Sequence, residues 1–258
     1  MALLEIENLT HRFGGLLAVS KFNLKIDEGS LVGLIGPNGA GKTTIFNIVS
    51  GFYKPSEGSV MFQGKSISGL PPHKVMSIGI SRTFQNIRLW STMTVKENMC
   101  ISQHHHLDYS LLDAVLGRKK YHEREKMVRR RADEILEILN LEKYADEYPK
   151  NLPYGMQRRV EIGRALTGNP KLLLLDEPAA GMNPGDIGQL IDLIKWIRKE
   201  FKLTIWLIEH QMKVVMTLCE NLSVLDFGEC IAEGAPDDVK RNKRVIKAYL
   251  GDEEVAHA

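Results

Sequence analysis

The chain has 258 residues, 43% of them hydrophobic, and a formal net charge of +2, which suits a core of globular size and gives no electrostatic reason to expect nucleic acid. No stretch approaches the roughly 18 uninterrupted apolar residues of a membrane span, and the opening MALLEIENLTHRF lacks a basic segment followed by an apolar one, so neither a spanning nor a secreted protein is expected. Cys100, Cys219 and Cys230 are unevenly spaced and form no CxxC, which fits free thiols in a reducing cytosol.

From Leu3 to Gly79, short β-like runs (LLEIENLTHRF, KFNLKI, SLVGLI, GSVMFQG) alternate with turns and with one helical stretch after Gly41, which predicts a core built around a sheet. Residues 94 to 148 become helical and strongly charged, with Ile135, Leu136, Ile138 and Leu139 on one apolar face, as in a mainly helical insertion. The spacing predicts a further helix from Met156, with Met156, Val160, Gly163 and Leu166 along one stripe. Just before it, Pro153, Tyr154 and Gly155 supply no Ser, Thr, Asp or Asn cap, so the first N–H donors lack an obvious partner. From Lys171 the β/α alternation returns as LLLLD, a helix over 184–200, LTIWLIEH, a helix over 211–219, and NLSVLDFGECIAEG as a closing hairpin.

Two stretches carry chemistry. LIGPNGAGKTT, which includes Gly36, Pro37, Asn38, Gly39, Ala40, Gly41, Lys42, Thr43 and Thr44, matches G-x-x-x-x-G-K-[ST], follows the apolar run Leu31 to Ile35 and precedes a helix. Its glycines let backbone N–H groups turn around phosphate oxygens, Lys42 brings a charge to the β- and γ-phosphates, and Thr43 offers a hydroxyl to Mg²⁺. A chance match in a chain this long is on the order of 1%. In KLLLLDEP, four leucines read as a strand buried on both faces, so Asp176 and Glu177 emerge at its carboxyl end. Asp176 suffices to hold Mg²⁺, and Glu177 is then the candidate to polarise water; taken alone, such a pair would more often be a solvated turn.

With both motifs placed, the chain resembles the ATP-binding subunit of an ABC transporter. The resemblance implies a P-loop α/β core with a mainly parallel sheet, an N-terminal antiparallel β-subdomain and an inserted helical subdomain. The single cassette would span 1–258, with residues 1–84 and 169–258 as core and 85–168 as helical subdomain. It places Gln85 as the Q-loop glutamine contacting Mg²⁺ or the attacking water, and His210 as the switch histidine at the γ-phosphate. Asn183 falls in the D-loop, where the family more often has Asp. Phe13 would stack on adenine, the alternative being a core phenylalanine. LPYGM followed by Gln157 stands where the family commonly has Leu-Ser-Gly-Gly-Gln, so Gly155, Met156 and Gln157 would face ATP bound by another subunit. That ATP would supply the missing cap.

TFQNIRLWSTMTVKENM, the charged insertion, LPYGMQRRVEIGRAL, DEPAAGMNP and the tail from Glu209 together are similar to the ATPase subunits of branched-chain amino acid importers. Urea or amide importers and the ATPase of lipopolysaccharide export share much of this pattern. The implied partners are two membrane permease subunits docking near Gln85, Trp90 and Met93, a paralogous ATPase subunit and, indirectly, a periplasmic or extracellular substrate-binding protein. The implied location is the inner face of the cell membrane.

Two features invite other readings. His104, His105 and His106 are adjacent, so their side chains diverge, and no spaced Cys or His completes a metal site. GRKKYHEREKMVRRR, residues 117–131, is interrupted by Glu123 and by Glu125, which can pair with Arg129; it reads as a solvated helix face, with anionic lipid headgroups as the alternative contact.

Overall fold

The computed structural model describes residues 2–103 and 108–250, so the histidine run lies outside the described residues. The first of two sheets is antiparallel: β1 (Ala2–Phe13), β2 (Leu16–Asp27), β4 (Glu57–Phe62) and β5 (Lys65–Ser66) in the order β2-β1-β4-β5. β2 starts before KFNLKI because Leu16 pairs with Phe13 and closes a tight hairpin.

The second sheet contains β3 (Leu31–Ile35), β6 (Ile80–Arg82), β7 (Leu172–Asp176), β8 (Thr204–Ile208), β9 (Asn221–Asp226) and β10 (Glu229–Gly234), in the order β10-β9-β3-β8-β7-β6. Its pairings are parallel except for the β9/β10 hairpin. The sequence pattern does not reveal β6, whose three residues are too few to show a period.

β3, β7 and β8 are buried on both faces, and alternate residues enter two different cores. Leu31, Ile35, Leu173, Leu175, Ile205 and Leu207 meet one set of helices. Val32, Leu34, Leu172, Leu174, Trp206 and Ile208 meet α1 (Lys42–Val49) and the antiparallel sheet. Gly33 is the small residue in this alternation, because a Cβ there would lie 2.6 Å from Leu222 and 2.9 Å from the Cys219 sulfur.

After α2 (Pro72–Ser77), the described residues of 95–103 and 108–167 are largely helical: α3 (Val95–Ile101), α4 (Leu111–Val115), α5 (Lys119–Ile138) and α6 (Tyr154–Thr167). Ile135, Leu136 and Leu139 are buried against this group, with Ile138 partly buried beside them. Gly163 of α6 allows close approach, since a Cβ there would meet Leu139 and Met99 at 2.7 Å each. Glu125 accepts from the Tyr109 hydroxyl at 2.7 Å instead of pairing with Arg129. The chain ends its described course with α7 (Pro184–Glu200), α8 (Met212–Leu218), α9 (Pro236–Arg241) and α10 (Lys243–Leu250).

Strand order fixes where the chemistry collects. β3, β8 and β7 are neighbours and parallel, so the segments that follow them, which contain Gly36, His210 and Glu177, leave the same edge of the sheet.

Candidate functional site

Residues 36–41 turn from β3 into α1 through conformations that need glycine. Gly36 has φ 147° and a Cβ there would sit 2.0 Å from the Leu225 carbonyl oxygen; Gly41 has φ 105° and its Cβ would sit 2.5 Å from that of Ala18. Gly41 is the N-cap of α1, and neither a side-chain cap nor an acidic residue serves the helix's first turn. Such an end suits a bound phosphate. Lys42 is buried and its ammonium donates to the Gly36 and Pro37 carbonyls at 2.7 and 2.8 Å. Burial pulls its pKa below the ordinary lysine value, while the nearby Glu177 and Asp176 carboxylates push it back up. Asn38, Gly39 and Thr43 are exposed, Pro37 and Thr44 half-buried, and Ala40 buried.

At the carboxyl end of β7, Asp176 is buried and one of its oxygens accepts from Arg82 Nη2 at 2.7 Å. Arg82 in turn donates to Asn47 and Ser50 of the α1 segment and lies over the Phe46 and Phe84 rings. Thr43, Gln85 and Asp176 line one cavity of about 320 Å³, which brings together the three residues selected for Mg²⁺. They supply a hydroxyl, an amide and a carboxylate, an all-oxygen set suited to that ion.

Glu177 follows with φ 45°, the left-handed region that L side chains rarely occupy. Its N–H donates to the Ile208 carbonyl at 2.9 Å, and its Oε2 accepts from Gln85 Nε2 at 2.6 Å. His210 Nδ1 lies 3.5 Å from the same oxygen. The structure therefore joins Gln85, Glu177 and His210 around one carboxylate. Beneath them is fully buried Glu209, which accepts from the N–H groups of Ala179, His210 and Gln211. It ties the segment after Glu177 to the segment carrying His210.

α6 begins at Tyr154, two residues before the start its spacing predicts, with Pro153 as N-cap. The Tyr154 hydroxyl donates to the Ala180 carbonyl at 2.9 Å and accepts from Arg158, which holds this residue in the first turn. Pro153 makes no side-chain cap. Met156 N–H is directed at the Pro153 carbonyl, 2.9 Å away, so Tyr154 and Gly155 carry the first turn's free donors. Met156 packs against the core, and the Gln157 side chain donates back to the Leu152 carbonyl. Gly155 and Met156 line a different cavity, of about 190 Å³, with Pro153, Met182 and Asp186. No residue of the phosphate loop lines that cavity.

Asn183 is the N-cap of α7. Its side-chain Oδ1 accepts from the Gly185 and Asp186 N–H groups, and its Nδ2 donates to Asp186 Oδ2 at 2.6 Å. An aspartate in its place would set two carboxylates against each other. Phe13 ends β1 with 44% of its surface exposed, edge-on to His11 and Tyr53, and so is not a core residue.

One arrangement had no counterpart in the sequence reading. Arg158 and Glu161 of α6 form a fully buried ion pair at 2.7 Å. Arg158 also donates to the carbonyls of Phe84 and Gln85, while Glu161 accepts from the N–H groups of Phe84 and Arg88. The pair clamps the Gln85 loop to α6. Burial pushes the Glu161 carboxyl above its ordinary value, and the Arg158 charge opposes that rise. Arg158→Met strands the carboxylate and is expected to destabilise the fold by about 3–5 kcal/mol. Arg158→Met with Glu161→Leu should recover part of that loss, as read from urea midpoints.

The ABC transporter family profile matches residues 19–180, and that of the branched-chain amino acid ATP-binding cassette transporter C-terminal segment matches 229–255. The chain is 45% identical over 250 residues to the high-affinity branched-chain amino acid transport ATP-binding protein BraF of Pseudomonas aeruginosa, covering 97% of this chain and 98% of that one. It is 42% identical, with the same coverage, to the corresponding protein LivG of Escherichia coli. A solved ATP-binding cassette of an ABC transporter in its ADP conformation superposes with a TM-score of 0.84 at 34% identity, over 98% of this chain and all of that one. Phosphate loop, carboxylate pair and whole-length likeness converge: the chain belongs to the ABC transporter family, as one of its ATP-hydrolysing nucleotide-binding subunits.

Proposed function

We propose that this subunit dimerises around ATP and drives a membrane permease for the uptake of branched-chain or related amino acids. The observation that carries the ATPase part is the meeting of Gln85, Glu177 and His210 at one carboxylate oxygen, beside the phosphate loop. Glu177 takes a proton from the attacking water, Gln85 orients that water, and His210 reads the γ-phosphate. Thr43, Gln85 and Asp176 would hold Mg²⁺, which when bound neutralises phosphate charge. Residues 36–44 cradle the phosphates, and Phe13 offers a ring face to adenine. Gly155 and its neighbours act on the ATP of the facing subunit, because the cavity they line holds no residue of this chain's own phosphate loop.

The amino-acid substrate class follows from the relatives' names and the 229–255 match. Residues 85–168 act as a helical subdomain on a core of 1–84 and 169–258. Permease docking falls near Gln85, Trp90 and Met93. Buried Asn98 holds that loop by accepting from Trp90 N–H and donating to the Trp90, Met93 and Thr94 carbonyls, which leaves the Trp90 side chain 56% exposed. The subunit then sits peripherally on the inner face of the cell membrane, with a substrate-binding protein acting from the far side.

Affinity purification of the tagged full chain from its own cells tests this reading. The expected result is recovery of two membrane permease subunits and a paralogous ATPase. Recovery with no membrane protein would point to a soluble ABC machine. Full-rate transport reconstituted with this ATPase as the only one would rule out the heterodimer.

A further inference from the structure

Residues 108–131 invert the usual arrangement of an amphipathic segment. α4 is tied down through its polar groups: Ser110 and Asp113 form a reciprocal cap, and Arg118 pairs with Asp113 at 2.9 Å. Tyr109 packs edge-on against Tyr121 and donates to Glu125, and Asp108 pairs with Lys120 and Arg124. The apolar side is left outside. Leu111, Leu112, Val115 and Leu116 are 81%, 66%, 75% and 62% exposed, and none of α4 is buried. Spaced i, i+1, i+4 and i+5, they share one side of the helical turn. A cluster of this kind marks a contact surface.

The charge beside it identifies the contact. Residues 108–131 hold eight Lys and Arg against four Asp and Glu, a local excess of four over a whole-chain net of +2, so the rest of the chain is net negative. Lys119 and Lys120 follow the apolar turn after Gly117 and Arg118, with side chains 90% and 50% exposed. A protein partner with a deep apolar groove would need no such cationic rim. A bilayer interface with anionic headgroups needs both features, apolar side chains to enter it and cations to meet phosphates. We propose that α4 and the first turns of α5 form a contact surface for anionic phospholipid. Four apolar side chains and a few cations give weak, reversible attachment, which acts as a second contact alongside permease docking.

The test is flotation of the purified full chain with permease-free vesicles of phosphatidylcholine, alone or mixed with phosphatidylglycerol, so that it stands or falls separately from the transport reading. The chain is expected to float with the mixed vesicles at low salt and not with the neutral ones. Lys119→Gln/Lys120→Gln should lower partitioning about fivefold for each cation lost, and Leu111→Ser/Leu112→Ser about tenfold or more. Basal ATPase and circular dichroism of both variants should match the parent, since these side chains are exposed. No flotation with anionic vesicles, or flotation unaffected by the leucine variant, overturns the proposal. Absence of vesicle binding together with loss of permease copurification in the leucine variant assigns the surface to the permease instead.

Discussion

Glu177→Gln is expected to keep nucleotide affinity and to slow ATP hydrolysis by roughly 10²-fold or more, the usual scale of a positioned general base. The amide retains the size of the carboxylate and an oxygen to accept from Gln85, so the contact at 2.6 Å can survive while proton abstraction cannot. Asp176, paired with Arg82 and buried, should be unaffected. With hydrolysis blocked, ATP should trap a dimer in gel filtration, and phosphate release should fall to a trace. Normal turnover would remove Glu177 from the chemistry, and lost nucleotide binding would give it a structural part.

Gly155→Asp is expected to abolish ATP-driven dimerisation while leaving ATP binding to the separate subunit unchanged. The new side chain would place a carboxylate where the free N–H groups of Tyr154 and Gly155 begin α6, reversing the sign of the helix end toward a phosphate. It would also stand against Asp186, whose carboxylate oxygen lies 3.6 Å from a Cβ built at this position. Nucleotide titration of the monomer and sedimentation with ATP separate the two effects. In the same assays Pro153→Ser should be tolerated, because Pro153 contributes only its backbone as N-cap. Unchanged dimerisation in Gly155→Asp, or a strong gain in Pro153→Ser, would mean that this end of α6 is a degenerate site.

The phosphate loop and the buried strands were legible because their signals are local. Gly36 to Thr44 is contiguous, and the apolar runs of β3 and β7 need no knowledge of their neighbours. The start of α6 was not legible, since the contact that draws Tyr154 into the helix is with Ala180, 26 residues on. Arg82, Arg158, Glu161 and Glu209 escaped for a related reason. In sequence a charged residue reads as surface, and what buries Arg158 is a loop 73 residues away. The one hint was local: Arg158 and Glu161 are three apart on a helix, the spacing of an ion pair, though the same spacing on a solvated face would look identical. In α4 the error would have run the other way, because four apolar residues suggest a core that the fold never builds around them.

The left-handed backbone at Glu177 bears on how this subunit could be engineered. A redesign guided by folding stability alone would install glycine or asparagine there, since both accept φ 45° more readily than glutamate does. On the proposed role of Glu177 as general base, the product would melt higher and hydrolyse ATP far more slowly. Heat tolerance and turnover therefore compete at a single position, and a screen for thermostable variants should select against the catalyst unless activity is scored in the same round.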